Sequence, residues 1–270
     1  MSTLYRLIVC DLDGTVCTYD HQVNAAVREA MQDVLAADLW ITLCTGRGYQ
    51  TVHPFLSLVP VNAPLICCNG GLIVEPTTRH VLQVQPMSLP LAHKLLGLAQ
   101  EEGLETWVYL DDMETMLEYN PSEPHPVLRR HGEIVRQVTD PVAELKRPPH
   151  KLVIITESPQ DTPAAIASIK RCVADEARVL TSSPRLVEVI MPSISKARAV
   201  SWVADRLGVA REETIAIGDG DNDVEMLNWA GLGIAMGNGT PAAQAAADWI
   251  APPVEEDGLA VALRRFALDF

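Results

Sequence analysis

Short apolar runs alternate with helix-period stretches near the start of the chain. Leu7–Cys10, Ile41–Cys44 and Leu65–Cys68 are strand-forming runs that are apolar on both faces, and a helix-period stretch follows the first of them. A second helix is predicted over Tyr49–Leu58. Such strands, alternating with helices, are typical of a parallel sheet that is covered on both sides. The first helix carries its apolar positions at Val27, Met31, Val34 and Leu35.

The last third of the chain repeats this alternation. The pattern predicts helix Lys196–Leu207, strand Thr214–Ile217, helix Asn222–Ala230, strand Leu232–Ala235, helix Thr240–Ala247, strand Trp249–Ile250 and a helix from Gly258. We therefore expect both ends of the chain to build one doubly wound, Rossmann-like parallel sheet of the α/β class.

The segment between them has a different pattern, in which strands run together with fewer helices. The pattern predicts helix Leu89–Glu101, strands Glu105–Leu110 and Met116–Tyr119, helix Val127–Arg136, strand Leu152–Ile155, helix Thr162–Asp175, and strands Arg178–Leu180 and Leu186–Ile190. This order is typical of an α+β unit with an antiparallel sheet. We expect a core domain of residues 1–85 and 191–270, with residues 86–190 inserted as a second domain.

The composition limits the class of partner. The formal net charge is -14 at pH 7, and the chain lacks the clustered Lys and Arg of a nucleic-acid-binding face. A negatively charged protein needs a locally positive electrostatic potential in order to bind an anionic substrate, and a divalent cation with one or two basic side chains can supply it.

None of the 6 cysteines forms a C-x-x-C pair. With no signal-peptide pattern and no apolar run of bilayer length, we expect a cytoplasmic monomer without a membrane partner.

Two carboxylates directly follow the first predicted strand. Asp11 and Asp13 lie two residues apart in the run Asp11–Thr15 (DLDGT), so their side chains can point the same way. Open α/β sheets bind ligands at the carboxyl ends of their strands. Gly14 lets the backbone leave the sheet sharply. An ordinary Asp/Gly turn is the alternative, but the position at a strand end favours a chemical role.

A second acidic cluster, Gly218–Asp223 (GDGDND), also stands between a predicted strand and a helix. A helix cap would use one or two of its acids. Three acids within five residues repel one another, so a shared cation explains them better, and oxygen-only ligands favour magnesium over zinc. Neither cluster fits a calcium loop, because Val16 and Val224 stand where such a loop needs glycine.

Two further signals are weak by themselves. Thr45–Arg47 (TGR) follows the second predicted strand, where it is either an ordinary turn or a loop that holds phosphate oxygens. Lys196 begins a predicted helix, and an isolated lysine is usually an exposed surface residue.

The order DxDGT, T-G-R, lysine and GDGDND resembles the haloacid dehalogenase (HAD) superfamily of phosphohydrolases, in particular its Cof-like branch with a C2-type α/β cap. Four further stretches resemble that branch: Asn69–Gly71, Met226–Leu227, Ala230–Gly231 and Ala235–Gly239. The resemblance covers the core, whereas the inserted domain resembles the cap in size, position and element order. Ala197 departs from the glycine that the branch commonly has after its lysine.

The resemblance implies a magnesium-dependent phosphatase that hydrolyses small phosphomonoesters, such as sugar phosphates, through an aspartyl phosphate. Asp11 would attack phosphorus, and Asp13 would protonate the leaving alcohol and then activate water. Mg²⁺ would be held by Asp11, the Asp13 carbonyl, Asp219 and Asp223. The phosphoryl oxygens would be held by Thr45, the amides of Leu12 and Gly46, Asn222 and Lys196.

The resemblance also implies that the cap closes over the site and selects the substrate. Arg47 either contacts phosphate or pairs with a carboxylate that supports the site. Polar residues at predicted cap strand ends that could select the substrate are Asp111, Asp112, Lys151, Arg185 and Glu188.

Two alternatives stay open at this stage. The first is a phosphomutase similar to phosphomannomutases, in which the phosphoryl group passes to a second sugar hydroxyl. The second is a signalling receiver module that carries a phospho-acceptor aspartate. A receiver would have about half this length and no inserted domain, and it has no use for Asp13 as an acid.

Overall fold

The computed structural model of the chain describes residues 5–110, 116–119 and 135–268. The chain divides into two compact units. The core unit comprises Met1–Arg47, Val52–Gln83 and Ser195–Phe270, and the insert unit comprises Gly48–Thr51 and Val84–Ile194.

The described elements are numbered in chain order. The strands are β1 (Leu7–Cys10), β2 (Trp40–Leu43), β3 (Leu65–Cys67), β4 (Leu72–Val74), β5 (Val81–Val84), β6 (Glu105–Leu110), β7 (Met116–Tyr119), β8 (Val135–Gln137), β9 (Pro149–Ile155), β10 (Arg178–Ser183), β11 (Leu186–Ile190), β12 (Thr214–Gly218), β13 (Leu232–Ala235) and β14 (Trp249–Ile250). The α-helices are α1 (Ala25–Ala36), α2 (Tyr49–Val52), α3 (Leu89–Glu101), α4 (Pro141–Glu144), α5 (Thr162–Val173), α6 (Lys196–Leu207), α7 (Val224–Trp229), α8 (Pro241–Ala246) and α9 (Gly258–Phe266).

The core unit is built on a parallel sheet with the strand order β14-β13-β12-β1-β2. Every residue of β1 is buried, as its continuous apolar run requires. Cys10 pairs in register with Ile217 of β12 and with Leu43 of β2. The carboxyl ends of β1, β2 and β12 therefore meet at one edge of the sheet. The polar residues that follow these three strands are brought together there.

Helices cover this sheet, which confirms the α/β class. On one face, Leu7 and Val9 of β1 share an apolar cluster with Val200 and Val203 of α6 and Leu227 of α7. Helix α1 packs against β2 and α9. Beyond β2, a parallel bridge between Cys44 and Ile66 joins the sheet to the hairpin of β3 and β4.

The insert unit contains a six-stranded sheet with the order β10-β11-β9-β6-β7-β8. Its pairs are antiparallel except for β7 with β8. One face packs against α3 and α5, through residues such as Val108, Leu152 and Val187. Because side chains alternate along a strand, the neighbouring residues Trp107, Tyr109 and Val153 belong to the other face.

The sequence pattern is wrong at two places. The predicted helix over 127–136 falls mostly outside the described residues, but its described end belongs to strand β8, since pairing with β7 overrides the local helix pattern. The helix predicted over Tyr49–Leu58 ends at Val52, and His53–Ser57 forms a 3₁₀ turn. Pro54 lacks the N–H that the next α-helical hydrogen bond needs. Within the described ranges, no helix has the length and apolarity that crossing a membrane requires.

Candidate active site

Asp11 and Asp219 lie side by side because they follow adjacent parallel strands. The amide of Asp11 donates to the carbonyl of Ile217 at 2.8 Å, which extends the pairing of β1 with β12 by one residue. Both carboxylates are nearly buried, with 6% and 7% of each residue exposed. Positions 208 residues apart in sequence therefore form one site.

Asp223 completes a cluster of three carboxylates with Asp11 and Asp219. One oxygen from each side chain lies within 4.8 Å of the other two. The donor set consists only of oxygen atoms and is buried, which is what a hard divalent cation such as Mg²⁺ prefers. The three side chains therefore fit a magnesium site.

The backbone holds Asp223 in its orientation. Asp223 is fully buried, and its Oδ2 accepts hydrogen bonds from the amides of Asp219 at 2.9 Å and Gly220 at 2.8 Å. A Cβ at Gly218 would lie 2.5 Å from Cγ of Asp223. The glycine that ends β12 is therefore required for this close approach.

Gly14, in the turn after β1, also allows a close approach, here between its backbone and the side chain of Asp219. Its φ of +78° lies in the left-handed region, and a Cβ there would lie 2.2 Å from Oδ2 of Asp219. The glycine of DLDGT thus gives the turn its shape and leaves room for the carboxylate of Asp219.

Lys196 is the cation of the cluster and is not at the surface, where an isolated lysine usually lies. The residue is 1% exposed, and Nζ lies 2.5 Å from Oδ1 of Asp11 and 2.5 Å from Oδ1 of Asp223. It begins helix α6, whose first turn is capped by the hydroxyl of Ser195. Local sequence does not distinguish this lysine from an exposed one, because its burial depends on carboxylates supplied by β1 and β12.

Burial and charge shift the titration of this cluster in opposite directions. Burial raises the pKa of Asp11 well above its ordinary value, against the opposing effect of Lys196. Burial also raises the pKa of Asp219 to about 6. Burial alone would lower the pKa of Lys196, but the charges of Asp11 and Asp223 outweigh it and raise that pKa. The raised pKa keeps Lys196 positively charged at neutral pH.

Asp13 lies outside this cluster and is paired with Arg47. The guanidinium donates to both carboxylate oxygens, with 2.7 Å between Nε and Oδ2. Burial alone would lower the pKa of Arg47, but its hydrogen bond and ion pair with Asp13 raise it. Phe55 supports the pair, since its ring centroid lies 4.8 Å from Cζ of Arg47. His21 joins from the exposed side, 3.6 Å from Asp13 and 2.8 Å from Arg47.

The remaining predicted phosphate-binding residues lie on loops around the same edge. Thr45 follows β2 and is 1% exposed, with its Oγ1 accepting from the amide of Arg47 at 3.1 Å. Asn69 links this loop to the acidic cluster, because its amide donates to the Thr45 carbonyl and its Oδ1 accepts from Nδ2 of Asn222 at 2.9 Å. A Cβ at Gly46 would lie 3.2 Å from that Oδ1.

Leu12 is the remaining residue of this predicted set. It is fully buried, and its carbonyl accepts from the amide of Cys17 at 2.9 Å. The turn that places Asp13 is thereby closed by backbone hydrogen bonds.

The sequence interpretation missed Tyr19. Its hydroxyl donates to Oδ2 of Asp219 at 2.6 Å, although 60% of the residue is exposed. Burial, the hydrogen bond and the charge of Asp219 raise the pKa of Tyr19 to about 12. No sequence signal marks this tyrosine.

Asn238, inside the stretch Ala235–Gly239, contributes another contact by donating to the carbonyl of Gly14 at 2.9 Å.

The predicted selectivity residues belong to the insert unit. Lys151 and Glu188 form a buried ion pair with 2.7 Å between Nζ and Oε1. Arg185 instead donates to the carbonyl of Thr156 at 2.7 Å. Asp111 and Asp112 lie outside the described residues.

Comparison with known proteins places the chain in a family. YxeH of Bacillus subtilis is 29% identical over 272 residues, covering 98% of this chain and 99% of that protein. The 5-amino-6-(5-phospho-D-ribitylamino)uracil phosphatase YitU of Bacillus subtilis is 26% identical, with 98% and 99% covered. A crystal structure of a haloacid dehalogenase-like hydrolase from Bacteroides thetaiotaomicron superposes with a TM-score of 0.87 at 26% identity, covering 97% of this chain and 99% of that one. A family model for haloacid dehalogenase-like hydrolases matches residues 8–263, and the chain therefore belongs to that family.

Proposed function

We propose that this protein is a magnesium-dependent phosphatase that hydrolyses small phosphomonoesters through a phosphate ester formed on Asp11. One observation carries the proposal: three buried carboxylates converge within 4.8 Å, and Lys196 bridges two of them. The phosphatase activity named for YitU supports the same reaction class. Family membership argues against the receiver module, which is not an enzyme.

Asp11 is the proposed nucleophile. Lys196 holds Oδ1 of its carboxylate, which fixes the side chain at the carboxyl end of β1. In the first step an oxygen of Asp11 bonds to phosphorus in line with the leaving oxygen, and the bond between phosphorus and that oxygen breaks. When bound, Mg²⁺ supplies positive charge that offsets the negative charge of the phosphoryl group.

Asp13 is the proposed acid and base. It donates its proton to the leaving alcohol in the first step, and in the second step it takes a proton from the water that attacks the aspartyl phosphate. Arg47 fixes the carboxylate through two hydrogen bonds, a geometry that a bidentate guanidinium supports. Arg47 is thus a positioning residue for Asp13 in this proposal.

The proposed phosphoryl contacts come from the loops that surround the cluster: Thr45, the amides of Leu12 and Gly46, Asn222 and Lys196. The charge of the transferring group spreads over three equatorial oxygens, so donors that are positioned in advance supply much of the rate. Asn69 would hold Asn222 in place through the hydrogen bond between their side chains.

The proposed partner is a small phosphorylated metabolite, and we propose that the insert unit acts as the cap that selects it. The net charge of -14 makes the local positive charge of Lys196 and a cation necessary for an anionic substrate. A cytoplasmic monomer is the form that we propose.

A phosphate-release screen tests the proposal. The panel would contain sugar phosphates, nucleotide monophosphates and p-nitrophenyl phosphate, each assayed with Mg²⁺ and with a chelator. We expect release of inorganic phosphate that depends on Mg²⁺. No release from any monoester would overturn the proposal, and isomerisation of sugar phosphates without net release would instead support the phosphomutase.

A further inference from the structure

The side-chain amide of Gln50 is buried, but unlike most buried polar groups it has no hydrogen-bond partner among the described residues. Gln50 lies in helix α2 and is 6% exposed. Neither Oε1 nor Nε2 has a hydrogen-bond partner in the part of the chain that the structure describes. More than nine-tenths of buried polar groups in proteins are paired, and an unpaired amide destabilises the fold. A ligand that both donates and accepts hydrogen bonds would account for it.

Tyr109 of the same unit lies beside this amide. The position of a Cβ at Gly48 would be 2.7 Å from the ring of Tyr109 and 2.8 Å from Oε1 of Gln50. Glycine is therefore the residue that fits between the backbone and these two groups. The aromatic ring and the amide lie against the same short stretch of chain.

A buried ion pair extends the cluster along the sheet. Nζ of Lys151 lies 5.3 Å from the centroid of the Tyr109 ring and 2.7 Å from Oε1 of Glu188. Tyr109 and Lys151 are direct neighbours across β6 and β9, which places their side chains on the same face. The pair adds donors and acceptors while the charges of its two side chains cancel.

This combination suits a carbon skeleton with several hydroxyl groups. An aromatic ring packs against the C–H groups of such a skeleton. An amide, an ammonium and a carboxylate together offer both donors and acceptors to hydroxyls, each of which is donor and acceptor at once. A second phosphate would find no net positive charge in this cluster.

We propose that Gln50, Tyr109, Lys151 and Glu188 form a recognition cluster for the organic part of the substrate, which is a sugar or sugar-alcohol phosphate. The inference rests on the proposed phosphatase function.

The test compares wild type with Gln50→Leu, which has similar volume and no amide. We expect kcat/KM for glucose 6-phosphate and sorbitol 6-phosphate to fall at least about tenfold, and kcat/KM for p-nitrophenyl phosphate to fall less, because its leaving group carries no hydroxyl that the amide could bind. Without substrate, the melting temperature should stay equal or rise, because an unpaired amide is removed. Gln83→Leu is the matched control, since Oε1 of Gln83 on β5 is also buried, has no partner among the described residues and lies outside the cluster.

Binding supplies a second measurement. Calorimetry with sorbitol 6-phosphate on Asp11→Asn, with and without Gln50→Leu, should show at least a tenfold weaker affinity in the double variant. Equal affinity, or an equal loss of kcat/KM on p-nitrophenyl phosphate, would overturn this inference alone. Preference of the wild type for planar aromatic phosphates, kept in Gln50→Leu, would also overturn it. If the wild type releases phosphate from no monoester, the proposed function fails and the inference fails with it.

Discussion

Nζ of Lys196 lies between Oδ1 of Asp11 and Oδ1 of Asp223, 2.5 Å from each. One buried ammonium thus holds the carboxylates that follow two adjacent strands, β1 and β12. Removing one partner of a buried ion pair leaves an uncompensated charge, which is more costly than the loss of the contact itself.

Replacing Lys196 with methionine should therefore affect both stability and turnover. We expect the free energy of unfolding to fall by about 3–5 kcal/mol, measured by urea denaturation with a chelator present. Phosphate release should be abolished even under conditions in which the variant is folded. Lys146→Met, at an exposed position, is the control and should change neither quantity. A variant as stable as the wild type would show that the ion pairs of Lys196 contribute little to the free energy of unfolding.

Asp11→Asn tests the proposed role of Asp11 as nucleophile. The amide oxygen is a poor nucleophile, so we expect kcat to fall at least about a thousandfold. The melting temperature should stay close to that of the wild type, and Mg²⁺ should still bind by calorimetry. Asp33→Asn, on the exposed side of α1, should keep full activity. Near-normal turnover in Asp11→Asn would assign the nucleophile to another residue.

Arg47→Met tests whether the guanidinium positions Asp13. We expect kcat/KM for alkyl phosphates to fall about 10- to 100-fold. The loss should be smaller for p-nitrophenyl phosphate, whose leaving group needs less help from an acid. The exposed substitution Arg28→Met serves as the comparison. An equal loss on both substrates, with a raised KM, would instead indicate that Arg47 binds phosphate.

Asp219 makes the metal-free protein sensitive to pH. Burial raises its pKa to about 6 from an ordinary value of 3.8. The Asp219 carboxyl therefore binds its proton more tightly in the folded state than in the unfolded state. Its protonation contributes fully to the free energy of unfolding below about pH 4, and this contribution is lost as the pH rises to about 6. The difference corresponds to roughly 3 kcal/mol.

The variant Asp219→Asn should remove this loss of stability at rising pH, because its side chain does not ionise. With a chelator present, the two proteins should have similar stability at pH 4, and the variant should be the more stable by up to roughly 3 kcal/mol at pH 7.5. Urea denaturation across this pH range measures the difference. The same variant should bind Mg²⁺ more weakly. A variant that is less stable than the wild type at pH 7.5 would contradict the assignment.

Tyr19→Phe tests the contact that the sequence did not reveal. Its hydroxyl donates to Asp219, which is a proposed Mg²⁺ ligand, and the loss of a group that orients a metal ligand typically weakens metal binding 10- to 100-fold. We expect at least a tenfold weaker affinity for Mg²⁺ by calorimetry. The melting temperature should change little, since most of the side chain is exposed. Tyr5→Phe is the control, and unchanged affinity in Tyr19→Phe would assign the hydroxyl no role in metal binding.

Much of the fold could be predicted because the pattern of apolar residues states which faces are buried. The strands Leu7–Cys10 and Leu232–Ala235 and the helix Lys196–Leu207 have the predicted bounds. Predictions failed where a distant partner decided the local structure. Val135–Gln137 is a strand because β7 lies beside it, and that pairing does not depend on local propensity.

The candidate site likewise has residues that the sequence predicted and contacts that it did not. Asp11 and Asp219 were predictable because each acidic motif follows an apolar strand, and parallel strands end at one edge of a sheet. The burial of Lys196, the hydrogen bond from Tyr19 and the unpaired amide of Gln50 were not. Each depends on which atoms surround a side chain, and sequence spacing carries no such information.

Residue type and order along the chain were enough to predict the fold class, the family resemblance and the acidic residues proposed for the chemistry. Which charges meet, how deeply they are buried and which polar groups of the described residues are unpaired became known from the folded structure. Desolvation and Coulomb interaction depend on distances of a few ångströms. Such distances between residues about 200 positions apart arise only when the sheet and its loops are assembled.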